Sequence, residues 1–272
     1  MKCQHSASLL YAKNLCSRIK LFRNVIEVLC SRLTSNAKLF IIGFSLGANT
    51  VVKYLGESGL TGDHQFPTNI AGAVSLCNPL LIDHSRLRAP WSQILTFGAK
   101  KHMLQQRHVV KQMKCDNFKQ AMHHATFYSK SLAELSGYTL PYMIRNSTRY
   151  PFENSLGYVS NEEYWDEASS KNYIANVSVP LMVCFAGDDS ITSKVSSFMS
   201  TCLSNPNVIM VQTPCGGHIG WHDKSIHGNF VDRTVAQFIN AVLRKEHWSM
   251  VEEGRKKAAQ RLKKGLNMQS KL

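Results

Sequence analysis

The chain of 272 residues contains no apolar run long enough to cross a bilayer, which would need about 18 or more uncharged residues. Lys2, Lys13, Arg18 and Lys20 interrupt the apolar core that a secretory signal would require near the start. No C-x-x-C pair occurs among the eight cysteines, and the sequence has no H-E-x-x-H motif. We therefore expect a cytoplasmic or membrane-associated protein in a reducing compartment, with neither a metal nor an organic cofactor.

Acidic residues are also scarce, because 18 Asp and Glu stand against 32 Lys and Arg, for a formal net charge of +14. Part of this excess lies in residues 244–272, which hold nine Lys or Arg and three Glu. That segment has too few apolar residues for a strong hydrophobic stripe, so a solvated basic tail is one interpretation. Attraction to an anionic membrane surface is the other. No aromatic platform or docking helix indicates a nucleic-acid partner.

The apolar residues, 44% of the chain, are arranged as short buried-type strands that alternate with amphipathic helices. This alternation predicts an α/β protein with a mostly parallel sheet. The strand at 38–43 is expected to be buried on both faces. The predicted strands are 38–43, 69–76, 181–186 and 207–212, and the predicted helices are Arg18–Leu33, Leu46–Leu55 (ended near Gly56 and Gly59) and Arg233–Leu243.

A long interval, roughly Asp83 to Val179, separates the second and third predicted strands. It greatly exceeds an ordinary connection and carries helical patches at Pro90–Gln105 and Lys111–Ala125. We interpret it as an inserted helical cap. The predicted organisation is a core of residues 1–88 and 178–243, a cap of residues 89–177 and a basic tail of residues 244–272.

The pentapeptide Gly43-Phe44-Ser45-Leu46-Gly47 follows an apolar strand and opens a helix, which is the context of a nucleophile elbow. In such a turn Gly43 and Gly47 are expected to avoid a clash on either side of Ser45. The strained backbone exposes the serine hydroxyl and directs the Leu46 backbone N–H towards a developing oxyanion.

A serine hydroxyl needs a base to take its proton, and in this arrangement an acid and then a histidine follow the serine. His218 lies in the loop after the fourth strand and is the candidate base. Asp189, after the third strand, is preferred over Asp188 as the acid, and the other aspartate would cap the next helix. Asp83, after the second strand, is a third candidate. The nearby histidines lack zinc-like spacing.

These motifs resemble the type 4 family of α/β hydrolases, which includes eukaryotic lipases and esterases and plant embryogenesis-associated relatives. The resemblance implies an α/β-hydrolase fold with a helical cap and hydrolysis of carboxylic esters, with acylglycerols or phospholipids as substrates. Carried over by position, the catalytic triad is Ser45, Asp189 and His218. The matching segments are 43–49, 53–56, 157–165, 168–170, 179–181, 188–189 and 216–221.

Two departures from that family bear on activity. Ser190 replaces the proline usual after the acid, and only 37 residues, mainly helical in pattern, precede the nucleophile strand. The strands expected upstream are missing, together with the loop that supplies a second oxyanion donor. The nucleophile strand would then expose a hydrophobic edge. Loss of one such donor costs about 10²–10³ in rate. The alternative hypothesis is a truncated or degenerate protein without catalytic activity.

Overall fold

A computed structural model of the chain describes residues 15–60, 67–112, 116–140, 161–192, 198–223 and 228–244. The described residues form two compact units. The sheet unit comprises residues 19–81 and 169–244, and the helical unit comprises residues 15–18 and 82–168.

Four parallel strands form the sheet, in the order β1-β2-β3-β4, which confirms the predicted α/β class. Each strand is a short apolar stretch of the sequence. A helix or a longer segment connects each strand to the next, as parallel pairing requires. The strands are β1 (Leu39–Phe44), β2 (Ile70–Leu76), β3 (Leu181–Ala186) and β4 (Val208–Thr213).

Helices cover both faces of this sheet, so the two central strands are fully buried. One face packs against α1 (Leu15–Arg32), α2 (Leu46–Leu60) and α8 (Met199–Leu203), and α9 (Phe230–Leu243) covers the other. Two short 3₁₀ turns, Ser170–Asn172 and Ile174–Asn176, precede β3. Burial on both faces explains why β2 and β3 are continuous apolar runs in the sequence.

Two sequence predictions about the first βα unit are wrong in detail. Strand β1 is not buried on both faces, because Ile42 and Phe44 are exposed; within the described residues β1 pairs with β2 alone. Helix α2 continues past its predicted last residue, Leu55, and through Gly56, and it ends at Leu60, next to Gly59. A Cβ at Gly56 would lie 2.2 Å from the carbonyl oxygen of Tyr173, so this glycine permits close packing inside a helix.

The helical unit is built from five α-helices among its described residues, with a 3₁₀ turn at His84–Arg86. The predicted helical patch at 111–125 falls on the end of one helix, which reaches Gln112, and on a second that begins at Asp116, while residues 113–115 lie outside the described residues. No helix in the described part of the chain is both long and apolar enough to span a membrane. The helices are α3 (Trp91–Gln105), α4 (Arg107–Gln112), α5 (Asp116–Phe127), α6 (Leu132–Thr139) and α7 (Asn161–Ala168).

Candidate active site

The sheet brings the predicted residues together because each follows the carboxyl end of a parallel strand. Ser45 comes directly after β1, Asp188 and Asp189 after β3, and His218 after β4. All the strands run in one direction, so these ends meet at a single edge, where open α/β sheets bind ligands.

Ser45 occupies a strained backbone position with a φ of 51°, as expected of a nucleophile elbow. Its backbone N–H donates to the carbonyl oxygen of Leu76 on the neighbouring strand, at 2.8 Å. A Cβ at Gly43 would lie 2.6 Å from the Cα of Ala48, so the predicted steric need for glycine is confirmed there. It is wrong for Gly47, where an added Cβ would meet nothing within 4 Å.

The imidazole of His218 links the serine to the acid. Its Nε2 lies 2.9 Å from Ser45 Oγ and its Nδ1 lies 2.9 Å from Asp189 Oδ2. With the proton on Nδ1, that nitrogen donates to the carboxylate and leaves Nε2 free to accept the serine proton. This is the hydrogen-bonded order that general-base activation of a serine requires.

Asp189 is held as a charged acceptor, with its side chain only 2% exposed. Oδ1 accepts the backbone N–H groups of Ile191 and Thr192, and Oδ2 accepts the Thr192 hydroxyl as well as His218. Burial by itself would raise the pKa of this carboxyl, but the hydrogen bonds outweigh it and lower the pKa to about 2. The carboxylate is therefore ionised at neutral pH.

The two other acid candidates have different contacts. Asp188 accepts the backbone N–H of Gly217 at 2.8 Å and so anchors the histidine loop; the expected helix cap involves residues 193–197, which lie outside the described residues. Asp83 accepts from Ser85 and pairs with Arg86 inside its own turn. Of the three aspartates, Asp189 is the one within hydrogen-bonding distance of His218.

Cys77, which the sequence analysis does not single out, supports the histidine loop from the end of β2. Its Sγ lies 3.8 Å from the carbonyl oxygen of Gly217 and accepts the N–H of Ile219 at 3.4 Å, one residue on each side of His218. Burial raises the pKa of this thiol to about 12, so it is a protonated donor at neutral pH. The sequence pattern that could have indicated this role is the position of Cys77 directly after a buried strand.

Three ligand atoms of Cys77, Asp189 and His218 lie within 4.8 Å of one another, which is a possible metal-binding distance. Asp189 and His218 already share a hydrogen bond, and the thiol of Cys77 would have to lose its proton to bind an ion. These contacts favour a loop-positioning role for Cys77.

A buried amide network behind the elbow was also not predicted. Asn49 on α2 accepts the backbone N–H of Ser170, and the amide of Asn78 donates to the hydroxyls of Ser75 and Ser170. Asn78 also accepts the N–H of Leu80. The network joins Ser170, which lies in the segment that leads into β3, to helix α2 and to the end of β2.

Comparison with known proteins finds curated relatives, although no family model matches the chain. The monoacylglycerol lipase ABHD2 of Mus musculus is 28% identical over 229 residues, which is 78% of this chain and 50% of that protein. The embryogenesis-associated protein EMB8 of Picea glauca is 27% identical over 193 residues, and a monoacylglycerol lipase of Saccharomyces cerevisiae is 28% identical over 191 residues. Each of these two alignments covers just over two thirds of this chain and 38% of the relative.

Among solved structures, the chain is similar to the Paleococcus ferrophilus monoacylglycerol lipase, with a TM-score of 0.44 and 13% identity over 84% of this chain and 76% of that one. The Pyrococcus furiosus esterase PF2001 has a TM-score of 0.43 and 13% identity, over 86% of this chain and 64% of that one.

The first curated relatives are about twice as long as the region they share with this chain, which spans 48–50% of their length. The chain therefore has an α/β-hydrolase fold and is similar in sequence to proteins named lipases and esterases.

Proposed function

We propose that the chain is a serine hydrolase that cleaves carboxylic esters through Ser45, His218 and Asp189. The observation that carries this proposal is the continuous line of hydrogen bonds from Ser45 Oγ through both ring nitrogens of His218 to Asp189. A serine, a histidine and an ionised carboxylate hydrogen-bonded in this order are sufficient to activate an alcohol nucleophile.

In the first half-reaction Ser45 Oγ attacks the ester carbonyl while His218 Nε2 takes the hydroxyl proton. The oxyanion that forms lies near the N-terminus of α2, where the Leu46 backbone N–H and the helix dipole stabilise negative charge. The imidazolium is stabilised by the ionised Asp189. It then gives its proton to the leaving alcohol, and the acyl group stays on Ser45.

In the second half-reaction His218 takes a proton from water, and the resulting hydroxide equivalent attacks the acyl-enzyme. Collapse of the second tetrahedral intermediate returns the proton to Ser45 Oγ and releases the carboxylic acid. Asp189 stays ionised throughout, consistent with its low pKa.

A lipid ester is the substrate class that we propose, with an acylglycerol first and a phospholipid second. Support comes from the relatives, several of which are named monoacylglycerol lipases, while another in Saccharomyces cerevisiae is named a medium-chain fatty acid ethyl ester synthase/esterase. Aliphatic acyl chains are common to these substrates.

A fluorophosphonate probe tests the nucleophile, because it reacts with serines that a neighbouring base activates. We expect one adduct on Ser45, no adduct in Ser45→Ala, and normal labelling in Ser190→Ala, whose serine lies outside the hydrogen-bonded line. Absence of an adduct in folded protein would refute the mechanism. Turnover of monoacylglycerols of graded chain length tests the substrate, and labelling without turnover would favour a degenerate protein that lacks a working oxyanion site.

A further inference from the structure

Helix α3 in the helical unit has an inverted distribution of side chains. Its buried residues are Ser92 and Thr96, and the Thr96 hydroxyl satisfies itself on the carbonyl oxygen of Ser92. The large apolar residues of the helix point outwards instead. Phe97 is 71% exposed, Ile94 is 54% exposed, and Leu104 is also exposed. A helix on the surface of a globular protein normally buries its apolar side chains and exposes its polar ones.

The exposed residues share one face of α3. Ile94, Phe97, Lys101 and Leu104 are spaced by three, four and three residues, which at 3.6 residues per turn places them on the same side. Trp91 and Leu95 are exposed next to this row. On the opposite side α3 packs on α5, where the Thr126 hydroxyl contacts Met103 Sδ at 3.9 Å. We call the row of Ile94, Phe97, Lys101 and Leu104 the α3 face.

The charged residues of the segment that carries the α3 face are all basic. Residues 84–112 contain six Lys or Arg and no Asp or Glu, and the side chains of Arg88, Lys101, Arg107 and Lys111 are all exposed. Arg86 alone of the six pairs with a described carboxylate, that of Asp83 just before the segment. Apolar side chains bordered by basic ones are typical of helices that lie in the interface of an anionic membrane.

From these observations we propose that the α3 face binds anionic phospholipid surfaces, with Ile94, Phe97 and Leu104 entering the acyl boundary and the basic residues contacting lipid headgroups. The charge favours this occupant over a second copy of the chain, because two α3 faces with the same net charge would repel each other. The proposal does not require that the chain hydrolyse esters.

Vesicle binding by the full chain tests the proposal, in a Ser45→Ala background so that the lipid composition stays constant. We expect binding to vesicles of phosphatidylcholine mixed with phosphatidylserine and weak binding to phosphatidylcholine alone. Phe97→Asp and Ile94→Asp should each lower the affinity at least about tenfold, because a buried aromatic or aliphatic side chain is lost. Lys101→Gln should lower it about fivefold.

Matched controls lie on α1. Leu21 is 54% exposed, like Ile94, and Lys20 is exposed, like Lys101. Leu21→Asp and Lys20→Gln should leave the affinity within about twofold. Raising the salt from about 0.1 M to 1 M shortens the screening length from about 10 Å to 3 Å and should abolish the preference for phosphatidylserine. Thermal unfolding checks that each variant is folded.

Several outcomes would overturn the proposal. Equal binding to neutral and anionic vesicles, or unchanged binding by Phe97→Asp, would remove the α3 face from consideration. If only a full chain with Lys256, Lys257, Lys263 and Lys264 changed to Gln lost binding, the basic tail would be the membrane contact. If Phe97→Asp instead abolished self-association in sedimentation without changing vesicle binding, the face would be an interface between copies of the chain.

Discussion

Replacing Asp189 by asparagine should abolish the proposed catalysis, although the two side chains have the same shape and the same number of heavy atoms. The amide has one oxygen. At the Oδ1 position this oxygen can accept two backbone N–H groups, those of Ile191 and Thr192. Their positions are set by the backbone, so the asparagine oxygen must stay there. The amide NH₂ then takes the Oδ2 position, 2.9 Å from His218 Nδ1, and donates to that nitrogen.

A donor at this position forces the proton of His218 onto Nε2, which then cannot accept the Ser45 proton. A wrong tautomer of this kind costs about 10⁴ in rate, equivalent to about 5 kcal/mol of activation free energy. The assay is the rate of fluorophosphonate labelling of Ser45, together with ester turnover, across pH 5–9. Because the defect is a tautomer, substrate affinity should change little.

Asp188→Asn is the matched control for this experiment. Asp188 accepts one backbone N–H, that of Gly217, and an amide oxygen can accept the same bond. We expect labelling within about tenfold of the parent chain, since only the charge assistance of one hydrogen bond is lost. A loss of 10⁴ in Asp188→Asn with near-normal labelling in Asp189→Asn would refute the assignment of the acid.

Three other predictions concern stability and loop positioning. Gly56→Ala should lower the free energy of unfolding by about 1–3 kcal/mol, because its methyl group meets a carbonyl oxygen, whereas Gly47→Ala should raise it by about 0.5–1 kcal/mol in chemical denaturation. Burial lowers the pKa of His84 to about 4, despite the opposing charge of Asp83. The contribution of this residue to the free energy of unfolding should therefore be full above about pH 6.5 and fall between pH 6.5 and 4. His84→Gln should flatten that pH dependence in thermal unfolding. Cys77→Ala should lower kcat more than it changes KM, with partial rescue by Cys77→Ser; an equal loss in both variants together with lower stability would indicate a packing role alone.

The pH argument for His84 depends on its contacts within the helical unit. Its Nδ1 lies 3.0 Å from the Ser136 hydroxyl and its ring packs against Trp165 at a centroid distance of 4.5 Å. A neutral ring is satisfied by these neighbours, but the unfolded chain binds a proton below about pH 6.5. Acid therefore favours the unfolded state in that range. A pH dependence unchanged in His84→Gln would contradict this account.

The sequence by itself determined the parts of the fold that depend on local pattern. Alternation of apolar strands with helices indicated the parallel sheet, and the elbow motif at Ser45 identified the strand-to-helix turn. The predicted order of serine, acid and histidine also follows from chain position, since each residue comes after a strand. Local periodicity and turn chemistry are sufficient for such predictions, because they act between residues near in sequence.

Only the tertiary structure decided which side chains meet and which faces remain open. Gly56 lies inside α2, where Tyr173, distant in sequence, packs closely against it, and Gly47 has open space where a clash was expected. Asp188 and Asp189 are adjacent in the sequence, yet one fastens a loop and the other holds the imidazole. Similarly, the outward face of α3 depends on which side of that helix its neighbours cover. Contacts between residues far apart in the chain are set by packing, which a local pattern does not encode.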